Sequence, residues 1–118
     1  MNIGTDIIQI NRIKVIDKKY NLHFKQKFLS TDEIRLVKKV ETLAGFWAAK
    51  EAISKALGCG IGNELSFHDI HLYKNDKGAP SFILSDTAQH IHKIKSASLS
   101  ISHDGGFAIA VVAIIKNN

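Results

Sequence analysis

Residues 43–62, LAGFWAAKEAISKALGCGIG, constrain the chain most, because an apolar helix there runs directly into a loop carrying three glycines. Leu43, Phe46, Trp47, Ile53, Ala56 and Leu57 recur at helical spacing and make a stripe for burial, interrupted by Lys50, Glu51 and Lys55. Glu51 and Lys55 stand one turn apart and project from one face, with Lys50 beside them on its rim. Gly58 marks the helix stop, since glycine enters the left-handed region without a Cβ clash. Gly60 and Gly62 keep the next turn bare, so a ligand can approach the backbone. One carboxylate, two ammonium groups and an open loop suit a metal-bound, phosphate-bearing substrate. The same spacing also describes an ordinary i,i+4 ion pair on a solvated face with a glycine stop.

A chain of 118 residues predicts one domain, residues 1–118, large enough for a core but small for a deep cleft. A site shared between subunits would remove that difficulty. With 45% apolar and 23% charged residues and a single proline, the composition is that of a folded globular chain. Sixteen Lys plus Arg against eleven Asp plus Glu give +5, which suits an acidic partner or a phosphate-rich ligand. Cys59 is the only cysteine, so no internal disulfide forms and a reducing cytosol is the natural compartment. No signal-peptide pattern opens the sequence and no apolar run approaches the ~18 residues of a membrane span, so the expectation is a cytoplasmic protein.

Residues 2–10, NIGTDIIQI, are rich in β-branched side chains and predict a strand. Asp6 lies there among Ile3, Ile7, Ile8 and Ile10, where a carboxylate is costly to bury unless a cation pairs with it. A strand-end aspartate facing water or bonding a turn amide is the alternative. Residues 11–20 turn helical, with Ile13 and Ile16 inward and Arg12, Lys14, Lys18 and Lys19 outward. Phe24 and Phe28 anchor a short amphipathic piece over 23–29. Ser30 or Thr31 then caps a helix over 32–40, with Asp32 and Glu33 at its positive end, and a break near 41–42 leads into the organising helix. Beyond the glycine loop, 67–73 alternates as a strand, Asn75-Asp76-Lys77-Gly78 is a turn, and 81–84 returns antiparallel behind Pro80. Ser85 caps a helix over 86–93. Strands over 96–102 and 106–115 close the chain, joined by a His103-Asp104-Gly105 turn.

Ser100, Ser102, His103 and Asp104 gather at the end of a strand, where binding residues concentrate. A Ser-His-Asp triad is not supported, because sequence neighbours rarely point together and no nucleophile elbow surrounds Ser102. His103 suits phosphate donation better. His68, His71, His90 and His92 lack the companions a zinc site needs and read as structural or surface residues. No dinucleotide or P-loop fingerprint is present, since the glycines of GCGIG follow a helix instead of opening one. Aromatic residues do not interleave the basic ones as in a nucleic-acid platform.

Gly4-Thr5-Asp6, Trp47-Ala48-Ala49-Lys50-Glu51-Ala52 with Lys55, and Ser100-Ile101-Ser102-His103-Asp104 together resemble, in order and spacing, the three signature blocks of the 4'-phosphopantetheinyl transferases. The short length and the Ala-Leu-Gly-Cys-Gly-Ile-Gly loop resemble its bacterial holo-[acyl-carrier-protein] synthase branch. The resemblance runs from about Ile3 to Ile114 and is loosest between Lys18 and Glu41. It implies an α+β fold, an antiparallel three-stranded sheet packed on a long central helix, assembled as a homotrimer with sites between subunits. It implies transfer of 4'-phosphopantetheine from coenzyme A to a serine of apo-acyl carrier protein, leaving adenosine 3',5'-bisphosphate, for fatty acid biosynthesis. Asp6 and Glu51 would hold Mg²⁺, Lys55 would contact the adjacent phosphates, and His103 the 3'-phosphate end of coenzyme A. Gly58, Gly60 and Gly62 would pass close to the nucleotide and Pro80 would flank the adenine. Lys50 has two readings, phosphate contact or rim. Glu51, directly or through a water at the metal, is the candidate base for the serine proton. Arg12 matches the family's basic position facing the acidic carrier protein. Phe46 departs from the arginine common in that branch. Against the enzyme stand a non-catalytic coenzyme A or carrier-protein binding module, left open by Phe46, and a basic RNA-binding domain, supported by charge alone.

Overall fold

Helix α4 (Val40–Ala56) is buried along most of its 17 residues and everything else is arranged about it. The computed structural model describes residues 1–117. Ahead of α4 come β1 (Asn2–Gln9), α1 (Ile10–Tyr20), α2 (Leu22–Phe28) and α3 (Thr31–Leu36). After it come a 3₁₀ turn (Phe67–Asp69), β2 (Ile70–Lys74), β3 (Pro80–Leu84), α5 (Asp86–His92), β4 (Ile94–Asp104) and β5 (Phe107–Lys116). Strands β1, β5 and β4, in that order, form an antiparallel sheet, and β2 with β3 forms a separate antiparallel pair. This is the α+β arrangement expected, a three-stranded sheet on a long helix.

The sheet meets α4 through small side chains. Ala108, Ala110, Val112 and Ile114 of β5 are buried against the helix, which offers Ala48, Ala49, Ala52 and Ala56. Gly4 of β1 sets the limit: a Cβ there would collide with the Ala52 carbonyl oxygen and lie 2.8 Å from the Ala56 amide nitrogen. Asn2 fastens the same crossing by donating from Nδ2 to the Ala56 carbonyl at 3.1 Å. The outer face of the sheet carries an exposed apolar patch on β1 and β5, made of Ile3, Ile7, Phe107, Ile109, Val111 and Ile115, beside the exposed Ser98, Ser100 and Ser102 of β4.

At the other side of α4, Phe24, Phe28, Trp47 and Phe67 form a ring cluster with centroids 5.1 to 6.1 Å apart. Lys50 reaches under it and is fully buried, donating to the Phe28 carbonyl at 2.7 Å, the Phe67 carbonyl at 3.0 Å and Glu33 Oε1 at 3.0 Å. Glu33 is itself buried; it accepts from the Ser30 amide at 2.7 Å and from the Leu72 amide at 2.8 Å. The reading of Lys50 as a rim or phosphate-contacting residue is therefore corrected: its ammonium is consumed inside the core, where burial lowers its pKa and Glu33 opposes that.

Three boundaries differ from expectation. Helix α3 stops at Leu36 and α4 begins at Val40, so the break lies at 37–39 and not at 41–42. Ile34, Leu36, Val37 and Val40 all rest on the core, which carries a helix-like period across extended backbone. Residues 67–69 form a 3₁₀ turn instead of strand, because Asp69 Oδ2 accepts from the Ser66 amide and hydroxyl at 2.9 and 3.2 Å. In the last hairpin His103 and Asp104 remain in β4, and the turn is Gly105-Gly106, both at positive φ (57° and 85°) as a two-residue turn requires.

Replacing Lys50 by Met leaves Glu33 as an unpaired buried charge, and chemical denaturation is expected to show a loss of about 3–5 kcal/mol. Gly4→Ala is expected to cost at least ~2 kcal/mol, since the strand must lift from α4 to admit the new methyl group. A neutral result for either would mean that this crossing or this pair does not hold the fold.

Candidate active site

Because Gly4 brings β1 onto α4, Asp6, two residues along the same strand face, lands beside the helix at Glu51 and Lys55. Lys55 Nζ donates to Asp6 Oδ1 at 3.0 Å and to the Thr5 carbonyl at 3.1 Å. Asp6 is the more enclosed partner, its side chain 15% exposed against 53% for Lys55. Glu51, one helical turn before Lys55, is half-buried. Its carboxyl is pushed above the ordinary carboxylate range, first by burial and then by the negative charge of Asp6, with Lys55 opposing.

Two carboxylates close enough to repel share the Lys55 ammonium. Both offer hard oxygen atoms, and a cation completed by substrate phosphates is the usual setting in which proteins hold magnesium with one or two carboxylates. The donor set fits the Mg²⁺ expected. The glycine loop is open as expected: Gly58 and Gly60 take positive φ (81° and 66°), and a Cβ at Gly58, Gly60 or Gly62 would meet nothing within 4 Å.

His103 and Pro80 meet elsewhere, in a groove of about 170 Å³ shared with Glu41, Phe46, Tyr73 and Lys74. Lys74 and Glu41 bring one charge of each sign to it, and Phe46, Pro80 and Ile101 give it an apolar wall that suits a planar ring. The groove lies near the start of α4, and Glu41 precedes Glu51 by ten residues, or about 15 Å of helix. Asp6 and His103 nonetheless face the same side of the sheet, because Asp6 pairs with Ala110 and His103 with Ala108, both turned toward α4. Phe46 is buried as a wall of this groove. Arg12 stands exposed on α1.

Lys74 and Tyr73 of this groove were not legible in sequence, since a strand lysine and tyrosine carry no motif. Glu33 was missed as a core charge, although Ser30 and Glu33 have capping-box spacing and do form the box, with Ser30 Oγ accepting from the Glu33 amide at 3.3 Å.

A carboxyl whose folded pKa is raised contributes stability below its ordinary pKa and loses it as pH rises through the folded value. Ionisation of Glu51 thus works against the fold in the absence of metal. Glu51→Gln is expected to raise the Tm of the metal-free protein at pH 7 by a few degrees and to show no such gain at pH 4. Added Mg²⁺ is expected to raise the Tm of the unmodified chain and not that of the variant; differential scanning calorimetry reads both.

A family model described as the 4'-phosphopantetheinyl transferase superfamily matches residues 2–112. The chain is 63% identical over 114 residues to a holo-[acyl-carrier-protein] synthase of Sulfurovum sp., a match covering 97% of this chain and 96% of that one. Its fold superposes on the Helicobacter pylori holo-[acyl-carrier-protein] synthase in complex with coenzyme A with a TM-score of 0.92 at 50% identity, covering 96% of this chain and 99% of the other. The Neisseria meningitidis holo-[acyl-carrier-protein] synthase superposes at 0.87 with 33% identity, covering 98% of both chains. A strand carboxylate and a helix carboxylate brought together by a glycine crossing, on a fold shared at this identity, make the chain a member of the 4'-phosphopantetheinyl transferase superfamily.

Proposed function

We propose that this chain is an enzyme that transfers 4'-phosphopantetheine from coenzyme A to a serine of apo-acyl carrier protein, in the cytoplasm and for fatty acid biosynthesis. The observation that carries the reading is the convergence of Asp6, Glu51 and Lys55 from distant parts of the chain, in a fold shared with synthases solved with coenzyme A. Asp6 and Glu51 are the proposed Mg²⁺ ligands; when bound, the ion neutralises charge on the pyrophosphate. Lys55 supplies a mobile ammonium beside them, able to leave Asp6 for a phosphate oxygen.

Glu51, directly or through a water, is the proposed acceptor of the serine Oγ–H proton. The Oγ–P bond forms as the P–O bond to the adenosine 5'-phosphate breaks, and adenosine 3',5'-bisphosphate departs. His103, with Lys74 beside it, is proposed to hold the 3'-phosphate, with Pro80, Tyr73 and Phe46 against the adenine. Phe46 takes no part in the chemistry: it supplies apolar wall where the family commonly has a cation. The open loop of Gly58, Gly60 and Gly62 lies past the opposite end of α4 from this groove, so its proposed contact with the nucleotide is one made across subunits, as the resemblance implies. Lys50 is assigned no part in substrate binding.

A homotrimer is proposed from the family resemblance; the outer sheet face, with Ile3, Ile7, Ile109 and Val111 exposed, offers an apolar patch on which copies could associate. Arg12, with Lys14, Lys18 and Lys19 exposed on the same helix, offers a basic surface to an acidic carrier protein.

Intact-mass analysis of apo-acyl carrier protein after incubation with the chain, coenzyme A and Mg²⁺ is expected to show the gain of one phosphopantetheine, absent with a chelator. Asp6→Ala and Glu51→Ala are each expected to slow transfer by at least ~100-fold while keeping the fold. No mass gain with a validated carrier protein would favour a binding module without catalysis. Arg12→Ala is expected to raise KM for the carrier protein several-fold at low salt with kcat little changed, an effect that fades as ionic strength rises.

A further inference from the structure

Away from the Asp6 and Glu51 carboxylates, the loop after α4, whose glycines are proposed to meet the nucleotide, and the end of α5 bring together Cys59, Glu64 and His92, whose ligand atoms all lie within 4.8 Å of one another. In sequence His92 lies two residues from His90 and lacks the companions a zinc site needs; the fold supplies two from a loop some thirty residues away. Its ring is 5% exposed, and its Nε2 atom is buried with no hydrogen-bond partner. Buried ring nitrogens are nearly always satisfied, so an imidazole that carries an orphan nitrogen and lies beside a thiol and a carboxylate points to a missing partner. We propose that Cys59, Glu64 and His92 form a binding site for Zn²⁺ or a cation of similar softness, separate from the Asp6 and Glu51 carboxylates.

The donor types support the choice. A thiolate, an imidazole and one carboxylate suit Zn²⁺ and disfavour Mg²⁺, which prefers an all-oxygen shell. Ligands around one tetrahedral zinc stand roughly 3.5 Å apart, against the 4.8 Å within which these ligand atoms lie. Three protein ligands leave a fourth position for water or a small anion.

The scaffold holds the thiol in place. The Cys59 and Gly60 amides both donate to the Ser54 carbonyl, at 3.3 and 3.2 Å, so the loop starts fixed to the end of α4. His92 ends α5, whose exit is tied by Gln89 Nε2 donating to the Ile94 carbonyl at 2.9 Å. Without a cation, burial and the neighbouring Glu64 carboxylate push the Cys59 thiol up, with Lys116 opposing more weakly. A bound cation reverses that: the Cys59 proton leaves to solvent as the sulfur–metal bond forms. The ion would then clamp α5 to the glycine loop.

Titration of the full chain with Co²⁺ as a spectroscopic stand-in is expected to produce a thiolate-to-metal charge-transfer band at one ion per chain. Excess Mg²⁺ leaves the band in place and Zn²⁺ abolishes it by displacement. Cys59→Ser removes the band; His92→Gln and Glu64→Gln weaken Co²⁺ binding at least about tenfold, with far-UV circular dichroism confirming the fold. Glu64 is exposed, so its variant remains informative even if His92→Gln does not fold. Absence of a sulfur band in the unmodified chain, or a band that survives Glu64→Gln and His92→Gln at full affinity, overturns the site. The carboxylate pair at Asp6 and Glu51 has no sulfur and gives no such band, so neither result bears on the transferase reading.

Discussion

The contact between β1 and α4 has no room for a β-carbon at Gly4, and most of the molecule follows from it. The strand lies close enough for Asn2 to bond the Ala56 carbonyl at one end and for Asp6 to meet Lys55 at the other. A bulkier residue at position 4 would hold the sheet off the helix and take the strand carboxylate away from Glu51. The alanines along both surfaces extend the same close approach to β5. Packing here does more than stabilise: it sets the distance between two acidic side chains that belong to different elements.

Lys50 and Glu51 are neighbours in sequence and opposites in use. A helix turns about 100° per residue, so one side chain enters the core as the next faces the site. The Lys50 ammonium is fully partnered by Glu33 and two carbonyls, and this pair joins α4 to α2 through the Phe28 carbonyl and to α3 and β2 through Glu33. Glu51 is left in the reverse condition, half-buried beside another carboxylate with only Lys55 to balance both. A satisfied buried pair gives the helix a single rotational setting, and that setting holds the strained charges in position. Electrostatic tension of this sort is common where a ligand is meant to relieve it.

Much of this was legible in the sequence because it rests on local rules. Strand β1, helices α1 and α2, the Ser30 and Ser85 caps, the Asn75 to Gly78 turn and the positive-φ glycine after α4 each follow from spacing or turn chemistry. What was not legible depends on where distant segments meet. An apolar lysine pocket cannot be distinguished from a solvated helix face until Phe28, Glu33 and Phe67 arrive there, which is why Lys50 was misplaced. The α3 to α4 break was displaced for a related reason, since core contacts continue through residues in extended backbone. The final hairpin turn was placed too early because His103 and Asp104 look like turn residues while the two glycines after them do the turning. Asp6 was recognisable as an anomaly from composition alone; its partners came from resemblance and then from the fold.

The central claim is that Asp6 and Glu51 hold one cation together, with Lys55 moving to phosphate as it binds. Diffraction at the manganese absorption edge, from crystals grown with Mn²⁺ and coenzyme A, tests it directly. The predicted result is an anomalous peak bridging the Asp6 and Glu51 carboxylates, with Lys55 Nζ on a phosphate oxygen and no longer on Asp6. A peak that touches neither carboxylate, with the Lys55 pair to Asp6 intact beside bound coenzyme A, would contradict it.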